Sequence, residues 1–215
     1  ALVESVKKGR GPRGLSLGQD QFDSSDRFIS FIDALSGNTY LQGLDLSGIN
    51  SSEGSPQALA YALLGNKGLV HFGLRLCRLD GQCWSDLMAA ISTHPTLRTL
   101  NFLETRTNDE LFPNSSTKRA RTKAVADMLL VNKHIDEIPS CCEVTFDCHD
   151  WGALVAPRVE CNLYRKRLSP IQTITALSTR AAVVGRALVR VESEPSLVWM
   201  VLSQNHDIIC NCLLN

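Results

Sequence analysis

The residues that could do chemistry gather late in the chain. Cys141, Cys142, Cys148 and His149 place four potential metal ligands within nine residues. A zinc site wants cysteine pairs separated by two to four residues on a turn, with a second such pair elsewhere. Adjacent cysteines on a strand point to opposite sides, and no second pair has the right spacing. Cys210-Asn-Cys212 is a further close pair near the end of the chain. A thiol nucleophile needs a histidine and an orienting third group held beside it. Cys148 next to His149, or Cys161, could be drawn that way, but nothing in the spacing fixes the geometry. We therefore read the cysteines, Cys77 and Cys83 included, as small buried hydrophobes. A cysteine-based metal or redox site is the minor alternative, and no metal or cofactor is expected. No G-x-S-x-G, G-x-x-x-x-G-K-[ST], H-E-x-x-H or G-x-G-x-x-G occurs, so no catalytic residue is assigned and the chain is read as non-enzymatic. The acid pairs Asp147/Asp150 and Glu192/Glu194 suit a helix start and a loop. His71 and Arg75 have the stronger claim, because the alternation around them turns them outward.

That alternation belongs to the stretch 69–102. It opens Leu69-x-x-Phe72-x-Leu74-x-x-Cys77 and closes Leu97-x-x-Leu100-x-Phe102, with Cys83, Trp84, Leu87, Met88 and Ile91 between. Period two around Leu74 predicts a half-buried strand, and spacings of three and four over 84–91 predict one face of a helix. The strand pattern returns after 28 residues at Leu69/Leu97, Phe72/Leu100 and Leu74/Phe102. A fixed period in the twenties marks a repeat architecture.

The same register extends in both directions. Asn38, Asn66 and Asn132 each stand three residues before Leu41, Leu69 and Ile135, and His94 stands three before Leu97. Each is preceded at constant distance by a helical pair: Phe31/Leu35, Leu59/Leu63, Leu87/Ile91 and Val125/Leu129. Leu15-Ser-Leu17 fits a first strand, and Ser24, Ser25 or Asp26 can cap the helix that follows. Leu97 to Ile135 spans 38 residues, ten more than the period. The excess, at about 108–123, is expected to be a surface loop that carries the basic run 118–123. The fourth unit weakens after Ile138, and Asn162 fits the ladder with no strand beyond it. This gives an N-terminal segment 1–14 expected to fray, a repeat array 15–165, and a tail 166–215 with a helical stripe of Ile171, Ile174, Leu177, Ala181, Val184 and Leu188. A second tail helix around Leu197, Trp199 and Leu202 is too apolar for any side to face water.

The 215 residues are 44% hydrophobic, with 22 Lys+Arg balancing 22 Asp+Glu. Net neutrality argues against a dedicated nucleic-acid surface, which works by neutralising phosphates. No run of about 18 apolar residues suggests a membrane span, and the first residues are too weakly apolar for a signal peptide. Eight cysteines in a chain of this size suit free thiols in a reducing cytoplasm.

The unit 69–91 resembles the leucine-rich repeats of ribonuclease-inhibitor type, with the strand L-x-x-L-x-L-x-x-N/C, a full helix, Cys77 at the N/C position and Cys83 at the helix start. Ile49, Thr105 and Glu143 occupy that N/C position in the other units. The resemblance implies an α/β leucine-rich repeat solenoid, with parallel strands on a concave face, helices on a convex face, and an α-helical C-terminal cap. It further implies a protein partner bound on the concave face or its rims. The residues between the strand leucines would face that partner: Gly43, Asp45 and Ser47; His71, Gly73 and Arg75; Thr99, Asn101 and Leu103; Glu137, Pro139 and Cys141. Some proteins with this repeat activate GTPases, and in that alternative Arg78 or Arg106 would be the arginine supplied beside the concavity.

Overall fold

A computed structural model describes residues 2–22, 24–49, 55–103, 114–138, 145–168, 177–190 and 195–205. The chain forms two compact units, Ala1–Val155 and Ala156–Asn215.

The first unit carries a four-stranded parallel sheet in the order of the chain: β1 (Gly14–Gly18), β2 (Gly43–Ser47), β3 (His71–Arg75) and β4 (Thr99–Leu103). Leu15, Leu44, Phe72 and Leu100 are register partners, and so are Leu17, Leu46, Leu74 and Phe102. The 28-residue period therefore places equivalent residues side by side. Parallel neighbours need a crossover connection, supplied by α2 (Ser25–Ser36), α3 (Ser55–Gly65) and α4 (Gly81–Ser92), with α5 (Ser115–Val131) following β4. Successive helices pack on one another, and their apolar stripes bury Phe28, Phe31, Leu35, Leu59, Leu63, Leu87, Ile91, Val125 and Leu129. Ser24, Asp80 and Asn114 cap α2, α4 and α5, each accepting a bond from the backbone N–H three residues on.

The spacing of three between ladder residue and strand has a hydrogen-bond basis. Asn66 is fully buried. Its Oδ1 accepts from the N–H groups of Gly68 and Leu69, both at 2.9 Å. Its Nδ2 donates to Leu35 O at 2.7 Å and Asn38 O at 2.9 Å, one repeat earlier. Asn132 likewise donates to Ile91 O and His94 O. Asn38 accepts from Tyr40 and Leu41 and donates to Val6 O. Each amide thus starts its own strand and ties it to the preceding unit. Gly68 belongs to the same junction, for a Cβ there would lie 2.6 Å from the Thr39 carbonyl carbon, a backbone atom that cannot step aside.

Four expectations need correction. Residues 2–7 do not fray but form α1 (Leu2–Lys7), which packs on α2 and buries Val6. The strand expected from Ile135 shrinks to a single bridge, Thr99 with Glu137. Ile135 keeps its buried place, but Pro139 brings no N–H to a ladder and polar Ser140 replaces the next inward residue. The basic run is helical rather than looped, lying within α5. Its Arg121 is buried, donates to Leu79 O at 2.8 Å and stacks over the Trp84 ring. Burial pulls the guanidinium down to about 10, still charged at neutral pH. Asn162 is no ladder residue either, for it lies inside α7 (Ala156–Leu168) and accepts from the Arg165 side chain.

Beyond α5, a short helix α6 (Cys148–Asp150) and a π-turn, Trp151–Val155, complete the first unit. Phe146 and Trp151 extend an aromatic chain through Trp84 and Phe102. In the second unit, α7 is joined by α8 (Leu177–Arg190) and α9 (Pro195–Gln204) around Val184, Leu197 and Val201. Trp199 is 72% exposed, so α9 does have a side that faces water. Ile171 and Ile174 lie outside the described residues. Among those residues no helix is long and apolar enough to cross a membrane.

Candidate functional site

The face of the sheet that carries no helices is built by the alternation itself. Leu44, Leu46, Phe72, Leu74, Leu100 and Phe102 turn to the helices and are buried, so the residues between them must turn the other way. Register pairs Gly43 with His71 and His71 with Thr99, Asp45 with Gly73 and Gly73 with Asn101, and Ser47 with Arg75. His71 and Arg75 are exposed, while Asp45, Ser47, Thr99 and Asn101 are half-buried. Glu137 joins the edge through the bridge to Thr99, whose Oγ1 donates to the Glu137 carboxylate at 3.1 Å. All seven residues expected at the site therefore share one sheet and its edge. Pro139, Cys141 and Arg106 lie outside the described residues, as does the Leu103 side chain.

Gly73 is the low point of this face. An added Cβ would collide with the Asp45 carboxylate, so the missing side chain is what lets Asp45 lie across β3. No ion pair joins Asp45, His71 or Arg75 to any described residue. The face presents a carboxylate, an imidazole, a guanidinium and amide or hydroxyl groups at about 4.8 Å strand spacing. This is a surface for reading another surface, with no enclosed pocket and no nucleophile beside a base.

The other chemistry-bearing residues are taken up structurally. Asp147 caps α6, and the Asp150 N–H bond holds its carboxyl below the usual range. Asp150 pairs with Arg119 at 3.0 Å. Among the described residues no group of three His, Cys, Asp or Glu could hold a metal. Cys141, Cys142, Cys210 and Cys212 are outside them. Cys77, Cys83, Cys148 and Cys161 are free thiols. Burial pushes Cys77 up to about 11 and Cys83 up to about 12, which leaves almost no thiolate at neutral pH. Cys148 is exposed. In native protein at pH 7.5, a maleimide or Ellman's reagent should label Cys148 at least 100-fold faster than Cys77 or Cys83. Peptide mapping of the modified sites measures this, and equal rates would mean the repeat core opens readily.

One surface residue escaped the sequence reading. Leu76 directly follows β3, is 56% exposed, and is the only described non-glycine residue with positive φ, at 52°. The signal for it was available, because Gly48 stands 28 residues earlier with φ 74°. On the helical side, a groove of about 310 Å³ between α3 and α4 is lined by Tyr61, Leu64, Asp86 and Ala89.

No family model matches the chain, and no curated protein sequence does. Its structure is similar to that of leiomodin-1 actin-binding site 2, with a TM-score of 0.61 over 79% of this chain and 92% of that one, at 17% identity. The fold is leucine-rich-repeat-like. In that leucine-rich-repeat-like unit the helix-free sheet face is the natural place for a protein partner.

Proposed function

We propose that the chain is a non-enzymatic recognition module, a leucine-rich repeat solenoid of ribonuclease-inhibitor-like type that binds a protein partner on its concave face. The helical tail would close the end of the array, because a terminal repeat otherwise shows its core. The observation that carries this reading is the register, which sets Asp45, His71, Arg75, Thr99 and Asn101 side by side where none can serve the core. A setting among intracellular proteins with reduced thiols, and no role for nucleic acid or membrane, belong to the same proposal.

Actin is the first partner to test, since the similar leiomodin domain is an actin-binding site. The experiment is an anisotropy titration of labelled actin monomer with wild type, Arg75→Ala, Asp45→Ala, Asn101→Ala and Tyr61→Ala. Replacing an exposed residue should leave stability within about 0.5 kcal/mol. Arg75→Ala should weaken binding by about 1–2 kcal/mol, roughly 5- to 30-fold, as expected when an arginine anchors an interface. Tyr61→Ala, on the helical side, should bind as wild type. Binding unaffected by all three sheet-face changes would move the site elsewhere, and no binding by wild type would remove actin as the partner.

A further inference from the structure

Gly48 and Leu76 occupy equivalent places at the ends of β2 and β3, and both leave the strand in the left-handed region, with φ of 74° and 52°. Glycine does this freely, whereas a bulky side chain there is strained. A Cβ added at Gly48 would meet nothing within 4 Å, so the place is open to solvent. Leu76 thus bears backbone strain without the compensation of burial, being 56% exposed. The backbone on both sides of it is fixed. Arg75 O accepts from Gly48 N at 3.1 Å, Arg78 N donates to Ile49 O at 2.7 Å, and the buried Cys77 thiol donates to Arg75 O at 3.3 Å. Arg75 and Arg78 flank the leucine, both exposed and neither ion-paired to a described residue. A rigid apolar projection between two unneutralised cations loses little freedom on binding and attracts the opposite charge.

We propose that Leu76, flanked by Arg75 and Arg78, is the anchor of the partner site, and that its occupant is an acidic segment of another protein carrying a bulky apolar residue. This rests on the recognition reading above and adds the chemistry of the partner. The cations select for acidity, and the leucine requires an apolar surface to bury against. Strain kept at an exposed position is common where a site serves binding rather than folding.

The test uses the full chain and four fluorescein-labelled probes: a peptide of alternating Glu and Leu, its Lys/Leu counterpart, a Glu/Ser peptide, and a single-stranded oligonucleotide. The Glu/Leu peptide should bind saturably and more weakly as salt rises. Leu76→Gly and Leu76→Asn should weaken it at least 5-fold, and Arg75→Gln with Arg78→Gln at least 10-fold with a flatter salt dependence. Leu76→Gly should also raise the urea midpoint, because glycine relieves the strain. A lowered midpoint would overturn the proposal by showing that the leucine supports the fold. Preference for the Lys/Leu peptide, no Glu/Leu binding at millimolar concentration, or binding of Glu/Ser or oligonucleotide as tight as Glu/Leu would overturn it too. Asp45→Ala and Asn101→Ala are titrated alongside. If they weaken binding and Leu76 variants do not, the anchor fails while recognition by the sheet face stands. If neither set matters, both fail.

Discussion

Asn66→Ala is expected to destabilise the first unit by about 4 kcal/mol, the largest single effect among its polar residues. The alanine would leave the N–H groups of Gly68 and Leu69 and the carbonyl of Asn38 without the bonds that Asn66 now makes. Leu35 O would retain only its bond from Asn38 N. These groups are buried with no water to replace the amide, and each orphan costs about 1–3 kcal/mol. The effect should appear as a fall in urea midpoint with little change in slope. Lys67→Ala, the exposed neighbour, should stay within about 0.5 kcal/mol of wild type. A loss under 1 kcal/mol for Asn66→Ala would mean that the leucine core alone holds the repeats in register.

His94 gives the second prediction, because it fills the ladder position with the wrong shape. Its Nδ1 accepts weakly from Thr96 N at 3.4 Å and Leu97 N at 3.3 Å, imitating the asparagine Oδ1. Nε2 must then carry the proton, and it is buried with no hydrogen-bond partner. Burial pulls the imidazole from 6.5 down to about 4. Protonating Nδ1 would also set its hydrogen against the two N–H groups that point at it. The unfolded chain therefore takes up a proton near pH 6.5 that the folded chain refuses until about pH 4. Stability is full above pH 6.5 and falls as pH drops towards 4. Between pH 7 and pH 5 the loss from this one group is about 2 kcal/mol. His94→Asn should remove that component. It should also add about 1 kcal/mol at pH 7 by donating to Leu63 O and Asn66 O, the counterparts of the carbonyls that Asn66 and Asn132 reach. Urea curves for both proteins at pH 7 and pH 5 decide it. An unchanged pH difference in the variant would assign the acid sensitivity to other groups.

The strands, their order and their register were legible because one alternating hexad returns every 28 residues, and the period alone sets equivalent leucines side by side. The ladder was legible as a spacing, although its chemistry, an amide bonded at both ends, emerged only with the backbone around it. The basic run misled because six residues of similar charge look alike in a row. The helical interval from Arg121 to Val125 to Leu129 places Arg121 on the buried stripe of α5, a signal that was present but outweighed by composition. Asn162 misled for the opposite reason, as a ladder residue needs a strand to start and α7 simply continues past it. The outward residues of the sheet were legible from parity. Leu76 was not, since the strain that marks it is a property of the backbone.

The ladder amides also determine where the gene for this chain can change length. Asn38 Oδ1 holds Leu41 N at 2.7 Å and Asn66 Oδ1 holds Leu69 N at 2.9 Å, so each strand is phased from its amide by a fixed count of three. One codon gained or lost inside that count would turn every leucine of the next strand towards solvent. Between Leu97 and Ile135, by contrast, ten residues beyond the period have been absorbed while Ile135 remains buried. Loop grafts, tags and natural insertions should therefore survive in the stretch between β4 and α5 and be purged from the three-residue gaps, a reading-frame rule written in side-chain amides.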